Sequence, residues 1–176
     1  MNLDAIALRA FQAADEEAAI ALWRRSWQHA YPHIDFSARL GWWRERWRNE
    51  LVPACAIILA DGGPTGTGAA ADNRAAETAS GRTGEIAGFV TVNPTTGYLD
   101  QIVVAPEAWG SPVAAALIGA AKRVAPSGLD LHVNRDNARA IRFYEKHGFA
   151  ISGDDTNPRS RAPLYKMSWR RRAPSL

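Results

Sequence analysis

The stretch Asp136–Phe149, DNARAIRFYEKHGF, carries the groups best suited to hold a ligand. Asn137 can cap a helix, Lys146 and His147 suit its last turn, and Gly148 supplies the stop. Asn137 and Tyr144 are seven positions apart, so on a helix they share a face. The separation along the axis is roughly 10 Å. A long thin ligand beside that helix would meet an amide at one end and a phenol at the other.

A second candidate lies upstream. VAPEAWGSPVAAALIGAAKRV, from Val104, reads as a strand end, a small-residue turn and a helix from Pro112 to Val124. Ser111 can cap it, and Pro112 fits the first helical position, where no donor is needed. Free backbone N–H groups would converge at that helix start, where the dipole adds positive potential. The plainer reading is an ordinary strand–helix connection. The string GTGAAA at Gly66–Ala71 formally matches a dinucleotide fingerprint and comes after a strand. The dozen residues beyond it offer nothing to pack as a helix, so low complexity explains the match.

Positioning these groups requires a sheet. Residues 5–10 read as a first strand, and a helix opens around Asp15-Glu16-Glu17. Ile20, Trp23, Trp27 and Tyr31 fall on one stripe of it, and Pro32 ends it. Ser37 caps a second helix carrying Leu40, Trp43 and Trp47. Strands are predicted at 54–60, 85–93, 98–104 and 129–134, with a turn at Pro94–Gly97 and a final hairpin at 149–153 and 163–169. A polar loop at 154–161 joins the two strands of that hairpin. Residues 61–84 lack every large apolar side chain, which predicts a mobile loop. Five of the seven tryptophans lie in the first 50 residues. They anchor helices to the sheet, or Trp27, Tyr31 and Trp42 line an acceptor pocket for an apolar or cationic group. The sequence leaves both readings open.

A chain of 176 residues, 47% hydrophobic and 22% charged, is one ordinary globular domain. The expected organisation is a domain over 1–170, a loop insertion at 61–84 and a basic tail at 171–176. No apolar run approaches the ~20 residues of a membrane span, and the start lacks signal-peptide character. The lone Cys55 has no disulfide partner in the chain, and no metal site is expected. The cytoplasm is the expected location. The formal charge is +3, but the stretch from Asn157 onward holds six basic residues and no acid; without those six, 15 basic oppose 18 acidic residues. A basic tail could meet nucleic acid; a solvated, frayed end is the plainer reading. Neither nucleic acid nor membrane is expected as a partner.

LHVNRDNARAIRFYEKHGF resembles the strand–helix segment of the GNAT superfamily of acyl-CoA-dependent N-acetyltransferases, ending in F-Y-x-x-x-G-F. The resemblance runs roughly from Leu8 to Trp169. It implies a mixed α/β (α+β) fold: a mostly antiparallel central sheet of about six to seven strands, with helices on both faces. The strand ending at Val104 would splay from that at 129–134 and admit the pantetheine arm of acetyl-CoA, the co-substrate. The resemblance places Asn137 beside that arm, Tyr144 near the thioester sulfur, and the backbone of Ile102, Val103 and Val104 on the pantetheine amides. It departs in the pyrophosphate loop, where the pattern is Q/R-x-x-G-x-G/A. Trp109 replaces the Gln/Arg and Pro112 a glycine N–H, so Gly110, Ser111, Val113 and Ala114 must supply the donors.

The implied reaction is direct attack by a neutral primary amine on the thioester. Backbone N–H groups near Val103 would polarise the carbonyl, and Tyr144 would serve as general acid, since a phenol with pKa ~10 stays protonated. For the base, Asp100 is expected to share a face with Ile102 and Val104; Glu85 or a water chain are alternatives. His132 reads as structural. The acceptor is a small-molecule or peptide amine, and a homodimer is common among the proteins it resembles. One rival is a CoA-binding sensor without turnover, suggested by Trp109 and Pro112. The assignment needs an open wedge between the two strands, not plugged by the Trp109 indole.

Overall fold

The computed structural model describes residues 6–62 and 85–171. The GTGAAA string, nearly all of the predicted loop at 61–84 and residues 172–176 lie outside them. The elements are β1 (Leu8–Ala10), α1 (Glu16–Ala30), α2 (Leu40–Arg46), α3 (Val52–Ala54), β2 (Ala56–Asp61), β3 (Ile86–Val92), β4 (Leu99–Val104), α4 (Val113–Val124), β5 (Gly128–Asn134), α5 (Ala138–Lys146), β6 (Ala150–Thr156) and β7 (Pro163–Arg170). The sheets run β1-β2-β3-β4 and β5-β7-β6, antiparallel throughout. A single parallel bridge, Tyr98 to Asp130, joins them.

Two cores sit on opposite faces. Period-two alternation sends Leu129, Leu131 and Val133 of β5 toward α4 and α5, where they pack with Leu117, Ile118, Tyr144 and Met167. On the other face Ile20, Trp23, Trp43 and Trp47 pack against Leu59, Phe89 and Val103. Trp23 and Trp43 stack at 4.3 Å, and Trp47 meets Phe89 edge-on at 5.4 Å. These indoles are anchors.

Two local expectations change. The start of the second helical segment is capped by Asp35, not Ser37: Asp35 Oδ1 accepts from the Ser37 and Ala38 N–H groups at 2.9 and 3.2 Å. A carboxylate two residues upstream reaches those orphan donors directly. After α2 the chain widens into a π turn at Trp47–Leu51, which the i, i+3, i+7 spacing does not distinguish from α-helix. No helix of the described residues is long and apolar enough to cross a membrane.

Candidate active site

β4 and β5 touch only where they begin. The Asp130 N–H donates to the Gly97 carbonyl at 3.0 Å, and beyond the Tyr98–Asp130 bridge they share no ladder. Gly97 permits the join: its φ is +71° and an added Cβ would lie 2.5 Å from the Gly128 carbonyl oxygen. The strands then part, leaving a wedge open toward the C-terminal ends of both.

The register of β4 decides which groups face that wedge. The Ala105 N–H donates to Ala87, so alternation gives β3 the backbone groups of Ala105 and Val103, the latter opposite Phe89. Ile102 and Val104 turn theirs toward β5. This corrects the expectation for Val103, whose N–H and carbonyl belong to the ladder. A second correction concerns Asp100. Gln101 pairs with Thr91 but Leu99 with Val92, so Asp100 is the extra residue of a β-bulge. The bulge turns it to the α2 face, whereas Ile102 and Val104 pack toward α4 and α5. There Arg46 takes both carboxylate oxygens, at 2.9 and 2.5 Å, and Gln101 Nε2 adds a bond at 3.0 Å. Glu85 is exposed ahead of β3.

On the α5 side, Asn137 Oδ1 caps the helix by accepting from the Ala140 N–H at 3.1 Å, as its position predicts. Tyr144 is 6% exposed between Phe143 and Phe149. Burial holds its phenol protonated well above the usual tyrosine range, and the nearby Tyr98 phenol adds to the effect. No hydrogen bond among the described residues uses the Tyr144 hydroxyl.

The loop between β4 and α4 corrects the expected donor set, because the Ser111 and Val113 N–H groups are already bonded within the loop. Gly110 adopts φ +82°, the Ser111 N–H donates to Ala108, and Ser111 Oγ accepts from the Val113 N–H at 3.3 Å. Pro112 stands at the N-cap, so Ala114 and Ala115 offer the first N–H groups without an intrahelical acceptor. The Trp109 indole donates to the Val104 carbonyl at 3.0 Å, beside a Ser26 hydroxyl bond at 2.9 Å. It lies under the Arg139 guanidinium at 3.5 Å and against His29 at 4.8 Å. The strands are therefore unpaired beyond the Tyr98–Asp130 bridge, and this indole closes the upper end of the wedge at Val104. Arg139, missed in the sequence, places a cation beside the loop that lacks the expected Gln/Arg.

On the opposite face, Tyr31 reaches from the end of α1 across to β5. Asn134 Nδ2 donates to its hydroxyl at 3.0 Å, and the hydroxyl faces Asp136 at 3.4 Å. Burial raises its pKa. Trp27 stacks on Tyr31 at 5.7 Å. Trp42 stands apart from that pair, covered at 3.9 Å by Arg159 from the β6–β7 loop, which puts the polar loop over α2.

The site defines an acyltransferase architecture, and comparison with known proteins agrees. The acetyltransferase (GNAT) family model matches residues 16–149, and the chain belongs to that family. No curated protein is significantly similar in sequence. Among solved structures, apo YjaB from Escherichia coli is 20% identical, with 93% of this chain and 97% of that one covered and a TM-score of 0.66. The PaiA N-acetyltransferase from Thermoplasma acidophilum, in complex with coenzyme A, is 18% identical over 95% and 99%, also at 0.66. The putative acetyltransferase yncA from Salmonella typhimurium, with acetyl-CoA, is 14% identical over 97% and 98%, at 0.59. At these identities the likeness speaks to the fold.

Proposed function

We propose that the protein moves an acetyl group from acetyl-CoA to a primary amine of a small molecule or peptide by direct attack. The observation that carries this is the wedge itself: a β4 edge whose Ile102 and Val104 backbone groups face away from β3, the Val104 carbonyl held by Ser26 and Trp109, beside a helix capped by Asn137 and carrying Tyr144. An extended chain of amides fits such an edge, because the strand offers alternating donors and acceptors. Ala114, Ala115 and the helix start of α4 suit phosphates, with Arg139 adjacent. Acetyl-CoA supplies the activated thioester. The Ile102 N–H is the donor assigned to the thioester carbonyl, where negative charge grows during attack. Tyr144, held protonated by burial, donates to the departing sulfur. Trp27 and Tyr31 form one aromatic wall of the acceptor side, and Trp42, under Arg159, a separate one.

Thiol release from acetyl-CoA with a panel of primary amines tests the reading. At least one amine should drive release in wild type. One observation favours a second reading: the Trp109 indole on Val104 suits a CoA-binding sensor that does not turn over. Such a protein would bind acetyl-CoA and release no thiol with any amine.

A further inference from the structure

Three side chains, one just ahead of β4 and two on β5 and β6, meet on the α1–α2 face of the wedge. The Tyr98 hydroxyl lies 2.9 Å from His132 Nδ1, and His132 Nε2 lies 3.0 Å from Asp155 Oδ2. Tyr98 stands at the bridge where β4 and β5 part, His132 is on β5 and Asp155 on β6. The order carboxylate, imidazole, hydroxyl is the one that fixes a histidine tautomer and prepares a hydroxyl for proton exchange. With Nε2–H donating to Asp155, Nδ1 is the acceptor and the Tyr98 O–H donates to it.

Exposure grades along the chain. Tyr98 is half-buried at the closed end of the wedge, the His132 side chain is 27% exposed, and the Asp155 side chain is 55% exposed. The tyrosine end therefore lies at the join of β4 and β5, and the carboxylate end faces water. Burial and the neighbouring Asp100 push the Tyr98 phenol up to about 12, so it stays an O–H at neutral pH. Tyr98 is also near enough to Tyr144 to influence that phenol from the other side. The carboxylate otherwise expected to serve as base, Asp100, is occupied by Arg46.

We propose that Tyr98, His132 and Asp155 form a proton relay that deprotonates the incoming acceptor ammonium. The inference rests on the acetyl-transfer reading above. One N–H bond of the ammonium breaks and its proton passes to the Tyr98 oxygen, as the Tyr98 proton moves to His132 Nδ1. The amine keeps the electron pair and becomes the nucleophile. His132 becomes an imidazolium facing the Asp155 carboxylate and gives up one proton to bulk water at that exposed end, and ring-proton exchange with water restores the Nε2–H tautomer. Tyr98 is the group that touches the acceptor; His132 and Asp155 act through it. The charged and titratable groups around His132 are Tyr98, Asp155, Asp130 two residues earlier on β5, and Lys166, its register partner on β7. Asp100 and Arg46 act on Tyr98.

The test compares wild type with Tyr98→Phe, His132→Gln and Asp155→Asn. Thiol release from acetyl-CoA is measured with benzylamine, tyramine and spermidine between pH 6 and 9.5, alongside the thermal shift given by CoA. All four proteins should keep the CoA shift and the KM for acetyl-CoA. At pH 7, kcat should fall about 10²–10³-fold for the Phe and Gln variants, and by less for the Asn variant. The deficit should shrink toward pH 9.5, where the benzylamine in solution has largely lost its own proton. A loss equal at every pH, or no loss, would overturn the relay while leaving cofactor binding intact. A wild type that shifts with CoA yet turns over none of the three amines would also overturn it. A wild type without a CoA shift would sink the acetyl-transfer reading, and the relay with it.

Discussion

Replacing Trp109 with alanine tests how the wedge opens. The Val104 carbonyl faces the wedge and holds two donors, the Ser26 hydroxyl and the Trp109 indole N–H. Seating a pantetheine amide there requires the indole to leave, breaking its hydrogen bond and its stack with Arg139 at 3.5 Å. A neutral hydrogen bond contributes about 0.5–1.5 kcal/mol and an exposed cation–π contact about 0.5–1 kcal/mol. A closed state favoured by about 1–2.5 kcal/mol lowers apparent affinity about 5- to 70-fold. Trp109→Ala should therefore bind CoA about 5- to 70-fold more tightly in titration calorimetry. Trp109→Phe, which keeps a ring under Arg139 but loses the N–H, should fall between. Weaker binding by the alanine variant would refute the reasoning and make the indole part of the cofactor contact.

Three further outcomes are expected. Tyr144→Phe should slow thiol release roughly 10²–10⁴-fold and leave CoA affinity nearly unchanged; a variant as fast as wild type would remove Tyr144 as the acid. Gly97→Ala, with φ +71° and a Cβ 2.5 Å from a carbonyl oxygen, should lose about 1–3 kcal/mol. Its melting temperature should fall roughly 2–4 °C per kcal/mol, and an unchanged melt would mean that the β4–β5 join is not tight. The third concerns Asp15, which the Arg9 guanidinium holds below the usual carboxylate range through bonds at 2.7 and 2.9 Å. A depressed folded pKa stabilises above the unfolded value of about 3.9, and that contribution fades as pH falls through the folded value. Asp15→Asn should therefore lower the melting temperature at pH 7 and flatten its decline below about pH 4; an undiminished acid decline would contradict this.

What the sequence discloses is mostly local. Asn137 capping α5, Gly148 with φ +83° ending it, and the Pro94–Gly97 turn arise from backbone chemistry that neighbouring residues complete. Alternation in LDLHVN correctly separates Leu129, Leu131 and Val133 from Asp130, His132 and Asn134. The failures are tertiary. Nothing near Asp100 announces the bulge, because the extra residue exists only relative to Thr91 and Val92 on another strand. The mismatch of Val103 has the same origin, since only the ladder with Phe89 tells which edge its N–H faces. Tyr98, His132 and Asp155 are each unremarkable in isolation and are assembled by the Tyr98–Asp130 bridge and by β7, which pairs with both β5 and β6. Their one visible sign is a histidine on the polar face of β5. Arg139 likewise acquires meaning only when α5 brings it over Trp109.

The central claim is that the β4 edge in the wedge binds the acyl carrier, and Ile102→Pro addresses it directly. The Ile102 N–H faces away from β3, so proline there removes a wedge donor without removing a ladder bond. Calorimetric titration with acetyl-CoA should give one site per wild-type chain and a loss of at least about tenfold in affinity for a variant whose thermal melt stays cooperative. No heat from the wild type, or equal affinity in the proline variant, would contradict the account.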